Sequence, residues 1–143
     1  MAGFLGSYLH SIDPKGRVSL PAPFRRGRES DPFVLIQTQP DALSLYPDDA
    51  WEEVQSELRE MSKRQPDLRT RILGITAGAV EVVPDKQGRI LIPEKMRTSI
   101  SLDSDALVVG AINHIEIWEP KRFDEATRSE DDAFQRYIDK VFA

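Results

Sequence analysis

Two short stretches carry the residues best suited to grip a polar partner. Residues 13–17, Asp13-Pro14-Lys15-Gly16-Arg17, recur 72 positions later as Asp85-Lys86-Gln87-Gly88-Arg89. Aspartate first and glycine last suit a type I turn, in which the carboxylate accepts from backbone amides and glycine tolerates the geometry at the strand entry. Asp13, Gly16, Asp85 and Gly88 are therefore read first as turn formers, with the aspartates secondarily orienting the arginines. Neither turn geometry nor strand propensity asks for Arg17 or Arg89. The planar fork of arginine matches guanine O6 and N7, or a phosphate, with two parallel hydrogen bonds. A single surface arginine is most often just solvated, but recurrence at the same turn shoulder favours contact with a partner. Lys15 and Lys86 stand at the turn tips, where a phosphate contact and a solvated lysine are equally open.

Catalysis has little to work with. His10, Asp13 and Ser19 lie close enough in sequence to tempt a triad reading, yet the positions matching His10 and Ser19 are Val82 and Leu91. His114 begins a strand alone, and no cysteine, metal-ligand cluster or phosphate-cradling glycine loop accompanies it. No enzyme, cofactor or metal site is expected.

The 72-residue offset extends well beyond the turns. It also aligns Gly6 with Gly78, Pro21 with Pro93, Arg25 with Arg97, Leu43 with Ile115, Leu45 with Ile117 and Trp51 with Phe123, without a gap. Apolar positions match apolar positions, as expected of two copies of one supersecondary unit. Each copy predicts a first strand (4–9 and 79–83), the turn, and a short strand that ends at proline. A short helical stretch follows (22–29 and 94–100), then two more strands (33–38 with 42–46, and 106–111 with 114–118). Alternation along the turn strand puts Val18 and Leu20 on one face, and Arg17 and Ser19 on the other.

A longer helix closes the first copy, with Asp49 and Glu52 as a capping-box-like start and Trp51, Val54, Leu58 and Met61 as its apolar stripe. Residues 64–69 break it, and 74–80 read as a flexible lead into the second copy. At the C-terminus Phe134, Tyr137, Ile138 and Val141 form another helical stripe. Arg25 and Arg97 are assigned an ion-pair or helix-end role, Arg26 and Arg28 a solvated helix face, and Lys63, Arg64, Arg69 and Arg71 an exposed cluster.

With 143 residues and 40% apolar content, the chain can form one small domain or two halves sharing a core. Four short strands per half would leave exposed edges, which two entwined halves remove by closing a barrel. The absence of cysteine fits a reducing cytosol. The longest apolar run, 106–112, is far short of a membrane span, and no export signal opens the chain, so a soluble intracellular protein is expected. A net charge of −5 argues at first against nucleic acid, but residues 13–29 hold five basic and two acidic side chains, while 124–132 hold five acidic and one basic. That asymmetry permits a basic face on an acidic body.

The stretches FLGSYLHSIDPKGRVSLPAPFR, DKQGRILIP and HIEIWEP together resemble the MraZ family over essentially the whole chain. The resemblance implies a bacterial transcriptional regulator of two tandem SpoVT-AbrB-type units, here 7–54 and 78–126, followed by a C-terminal helix at 127–143. It implies a mainly β fold, an AbrB-like swapped-hairpin (double-psi) β-barrel made by the two repeats, with flanking α-helices. It further implies a cytoplasmic, nucleoid-associated, ring-shaped homo-oligomer. Its partner would be double-stranded DNA, at promoter direct repeats upstream of the division and cell-wall gene cluster and of its own gene. The family's Asp-x-x-x-Arg motifs fall on Asp13/Arg17 and Asp85/Arg89. One departure is that Lys15 becomes Gln87 in the second motif, with Lys86 supplying positive charge one position earlier. The competing expectation is an antitoxin-like assembly protein of the same fold, acting through a protein partner docked on the helices or the acidic C-terminus.

Overall fold

Short β-favouring runs bounded by glycine and proline become eight strands, in a computed structural model that describes residues 3–128 and 131–143. The first half contributes β1 (Ser7–Ser11), β2 (Arg17–Ser19), α1 (Ala22–Arg25), β3 (Phe33–Ile36), β4 (Ala42–Pro47) and α2 (Asp48–Arg64). A single 3-10 turn at Pro66–Leu68 leads into α3 (Arg69–Thr76). The second half repeats the order as β5 (Val80–Val82), β6 (Arg89–Leu91), α4 (Glu94–Ser99), β7 (Asp105–Gly110), β8 (Ile115–Trp118) and α5 (Pro120–Thr127), followed by α6 (Asp132–Phe142).

Several expected boundaries move, each for a local reason. The first strand starts at Ser7 because Gly6, at φ 94°, turns the chain, leaving Phe4 to form a separate bridge with Ile112. The helix expected over 22–29 shrinks to one turn, and Gly27 at φ 76° lies just beyond it. Residues 74–76 continue a helix instead of opening a flexible lead, since α3 runs to Thr76. The expected capping box is absent. Pro47 precedes the first turn of α2 with no side-chain cap, and Asp49 instead accepts a 3.0 Å hydrogen bond from Arg28. Arg28 is thus no solvated residue, for its guanidinium also lies over the Phe4 ring at 5.5 Å.

The two halves exchange strands. β1 pairs with β7 of the other half, and its counterpart β5 pairs with β3. The larger antiparallel sheet runs β1-β7-β8-β4-β3-β5, and β2 pairs with β6 as a separate ribbon. At the middle of the larger sheet Ser44 faces Glu116, and at the middle of the ribbon Val18 faces Ile90. Both pairs are 72 residues apart, so each strand pair meets its own copy about an approximate twofold axis. Among the described residues the pairings do not join β1 to β5, so the larger sheet is not one closed ladder. The ribbon packs onto the same core. Its inward Val18 and Ile90 are 1% exposed and share one core with Phe33, Leu35, Leu43, Leu45, Ile115 and Ile117. The architecture is a mainly β, swapped-hairpin core with flanking helices, and it holds the two arginine turns side by side.

Candidate nucleic-acid interface

Each turn is built by its aspartate. Asp13 Oδ1 accepts from the backbone N–H of Lys15 at 3.0 Å and of Arg17 at 2.8 Å, while Oδ2 takes the Arg17 Nε–H at 2.6 Å. In the second copy Asp85 Oδ1 accepts from Gln87 and Arg89, both at 2.9 Å, and Oδ2 takes the Arg89 Nε–H at 2.9 Å. The backbone closes around them in the same way, with Gly16 N–H donating to Asp13 C=O and Gly88 N–H to Asp85 C=O, each at 2.9 Å. The change from Lys15 to Gln87 leaves this geometry intact, because only the backbone of that position is used. Gly16 and Gly88 sit at φ 90° and 79°, where a side chain is strained.

The ribbon then brings the copies together. In the β2–β6 register Arg17 lies opposite Leu91 and Arg89 opposite Ser19. With Val18 and Ile90 buried, strand alternation sends Arg17, Ser19, Arg89 and Leu91 to the outer face. Arg89 Nη1 lies 3.8 Å from Asp13 Oδ2, so one carboxylate stands near both guanidinium groups. Both arginine side chains are about 30% exposed, at 31% and 29%. Each is held at Nε by its aspartate, which orients the fork, and Arg89 Nη1 is also turned toward Asp13. Lys15 and Lys86 flank the face as exposed turn-tip residues. Leu91, 53% exposed, lies on this face, in the direction that alternation from the buried Ile90 gives it.

The other candidates are placed elsewhere. Arg25 and Arg97 donate through Nε to the backbone carbonyls of Leu20 (2.9 Å) and Ile92 (3.0 Å), so they brace loops and do not join the outer face. His10 Nε2 is shielded and has no hydrogen-bond partner among the described residues, while the Asp13 carboxylate is taken by Arg17. His10, Asp13 and Ser19 therefore form no relay. His114, expected to stand alone, bridges to Glu116 at 3.0 Å and stacks on Tyr46 with ring centroids 4.7 Å apart. Trp118 Nε1–H donates to the same Glu116 at 2.9 Å. His114, Glu116 and Trp118 follow the two-residue period of β8, a signal from which this outer-face cluster was readable.

The turn carboxylates make acid sensitivity part of the design. The backbone N–H of Arg17 does most to hold the Asp13 carboxyl below its ordinary value of 3.8, against a partial desolvation that raises it, with the guanidinium adding to the lowering. Asp85 is lowered in the same way by Arg89. A carboxyl whose folded pKa is depressed stabilises the fold fully above its unfolded pKa and loses that contribution as pH falls through the folded value. Melting temperature is therefore expected to be insensitive to these groups down to about pH 4 and to fall below it. Glu116, also lowered, chiefly by the His114 hydrogen bond, adds to the same acid limb. In Asp13→Asn/Asp85→Asn the melting temperature drops at neutral pH, and the gap to the wild type narrows as both are acidified. A constant gap at every pH would show that the carboxylate charge does not hold the turns.

The family described as "MraZ protein, putative antitoxin-like" matches residues 4–72 and again 75–140, one match per structural half. A protein of Desulfitobacterium hafniense (strain Y51) named Transcriptional regulator MraZ is 37% identical over 131 residues, 92% of this chain and 91% of the relative. Proteins of the same name from Desulforamulus reducens and Moorella thermoacetica are 33% and 35% identical over 138 residues, 96% of each chain. A family match across both entwined halves, with relatives aligned nearly end to end, shows that this chain belongs to the MraZ family.

Proposed function

We propose that the protein is a transcriptional regulator that binds double-stranded DNA sequence-specifically through the outer face of the β2–β6 ribbon. The observation that carries this reading is the paired Asp–Arg turn, with two pre-oriented guanidinium forks on one narrow ribbon. A two-stranded ribbon fits the major groove, and an arginine fork reads guanine there by two parallel hydrogen bonds. Arg17 and Arg89 are assigned to base edges, Lys15 and Lys86 to the flanking phosphates, and Leu91 offers an apolar surface suited to a thymine methyl. Asp13, Asp85, Gly16 and Gly88 hold the turns in shape. No helix among the described residues is long and apolar enough to cross a membrane.

The finer reading follows from the number of contacts. The chain is taken as tandem units at 7–54 and 78–126 with the 127–143 segment as an appendage, and one ribbon offers only two reading arginines. Several protomers on adjacent direct repeats supply the remaining affinity by avidity. A ring-shaped homo-oligomer is thus the proposed working form, nucleoid-associated in the cytoplasm. Its operators would be repeats upstream of its own gene and of the division and cell-wall cluster. The surface that supports assembly is α6, where Phe134, Tyr137 and Val141 are 52%, 70% and 73% exposed. Asp131 and Asp132 at its start complement the basic rim of the α2–α3 groove, Arg59, Lys63 and Arg69, above an apolar floor of Trp51, Leu58 and Ile72. Glu130 of the acidic stretch lies outside the described residues.

The test is footprinting on the DNA upstream of the gene, with the mass of the complex measured on the same sample. Protection of regularly spaced, guanine-containing repeats by a multi-protomer species is the expected result. Its affinity should fall steeply with salt, by about one logarithmic unit of slope per phosphate contact. Salt-insensitive or absent binding would favour the antitoxin-like reading through a protein partner.

A further inference from the structure

We infer that Arg25 and Arg97 are crossed positioning residues, each setting the DNA-facing turn of the opposite half. The inference rests on the proposed DNA contact by Arg17 and Arg89, and it goes beyond it by assigning control of each contact to a residue in the other repeat. Three observations coincide at each site. Arg97 Nε–H is fixed on Ile92 C=O at 3.0 Å, and the Ile92 N–H in turn holds Gly16 C=O of the first half at 3.0 Å. The guanidinium of Arg97 lies directly over Gly16, so that a Cβ added there would come within 2.6 Å of Arg97 Cζ. The mirror arrangement has Arg25 Nε–H on Leu20 C=O at 2.9 Å and the Leu20 N–H on Gly88 C=O at 2.8 Å. There a Cβ on Gly88 would come within 2.5 Å of Arg25 Cζ.

Chemically, each arginine closes a short chain of contacts from its own helix to the neighbouring turn. α4 of the second half, through Arg97 and the backbone of Ile92, contacts the Gly16 peptide that immediately precedes Arg17. α1 does the same for the peptide that precedes Arg89. Glycine is needed at positions 16 and 88 twice over, for the positive φ and to admit the arginine of the other half. The guanidinium is flat and rests on a bare Cα. A lysine ammonium at the same position is a compact charge without that plane or the Nε donor. The spacing of the two reading arginines is then set by the interlocked halves and is not left to two independent turns. Any change that loosens one helix misplaces the contact of the other repeat.

A crossed brace predicts a crossed pattern of coupling. The full-length chain carries Arg97→Lys or Arg25→Lys, alone and combined with Arg17→Ala or Arg89→Ala. Affinity is measured by fluorescence anisotropy on the upstream DNA. Arg97→Lys is expected to weaken binding about tenfold in the wild type and by nearly the same factor in Arg89→Ala, yet less than about twofold in Arg17→Ala, because residues that act through one group are non-additive. Arg25→Lys should show the mirror result, coupled to Arg89 and additive with Arg17. Additivity with both, as a direct DNA contact by Arg97 would give, or coupling within the same half, overturns the inference. Hydrogen exchange without DNA gives a second readout. Arg97→Lys should speed exchange in the 13–17 turn and leave 85–89 unchanged, and Arg25→Lys the reverse. Where a lysine variant fails to fold, Arg97→Met or Arg25→Met, which keeps an unbranched stem over the glycine but has no donor, takes its place in both measurements. Full affinity in Arg17→Ala and Arg89→Ala overturns the DNA-contact reading itself, while the exchange pattern still decides the brace.

Discussion

Arg17→Ala and Arg89→Ala should each lower operator affinity by roughly 5- to 150-fold per engaged ribbon, the equivalent of about 1–3 kcal/mol for one lost bidentate guanine contact. In an assembly that engages several repeats the loss compounds, so the double variant is expected to show no specific binding at working concentrations. The fold should survive. Asp13 and Asp85 keep their backbone acceptor bonds in the variants, and Val18 and Ile90 still fill the core beneath. Each arginine is ion-paired to its turn aspartate. A partly exposed pair of this kind contributes little to stability, so the melting curves should move only slightly. Operator and scrambled DNA are titrated with salt in parallel. Loss confined to the operator identifies base reading, whereas equal loss on both sequences, with a shallower salt dependence, identifies phosphate contact. Full operator affinity in a folded double variant would mean that the repeated turn serves the architecture alone.

Why the turns were legible and their surroundings were not has a physical answer. Type I turn chemistry and strand alternation act over a few residues, so Asp13, Gly16 and the face shared by Val18 and Leu20 could be read directly, and the gapless offset carried the turn reading to Asp85 and Gly88. Strand partners are a tertiary choice. Nothing in 7–11 states that its ladder partner is β7 and not a strand of its own half. For the same reason Arg25 and Arg97 read as helix-end residues, when what occupies them is a glycine of the other repeat. Arg28 reads as solvated in the sequence because its acceptor, Asp49, lies 21 residues away, and because an aromatic platform at Phe4 is invisible without the bridge to Ile112. The His114 cluster was within reach, since Glu116 and Trp118 follow it on alternate positions of one strand.

Residues 1–74 produced alone should not form a cooperatively folded monomer. Among the described residues the only ladder partner of β1 is β7, and that of β2 is β6. Cutting the chain at this point removes both, exposes the β4 edge by deleting β8, and leaves β3 paired only with β4. What remains is one hairpin with α2 beside it, and a two-stranded unit of this kind is marginal in water. The loss of core is just as severe. Val18, Leu20, Phe24, Leu43 and Leu45 share their cluster with Ile90, Ile92, Met96, Ile115 and Ile117, so half of the enclosing side chains disappear at once. Large buried residues left facing solvent and two unpaired edges should drive the fragment to dimerise, using a second copy in place of the missing repeat, or to aggregate. Adding residues 75–143 supplies the missing β5, β6, β7 and β8, and co-refolding is expected to restore a 1:1 species with a sharp thermal transition. Circular dichroism melts and mass measurement of each fragment and of the mixture provide the check. A monomeric 1–74 fragment with its own cooperative transition would show that the halves fold independently, and with that the crossed brace between Arg97 and Gly16 would lose its structural basis.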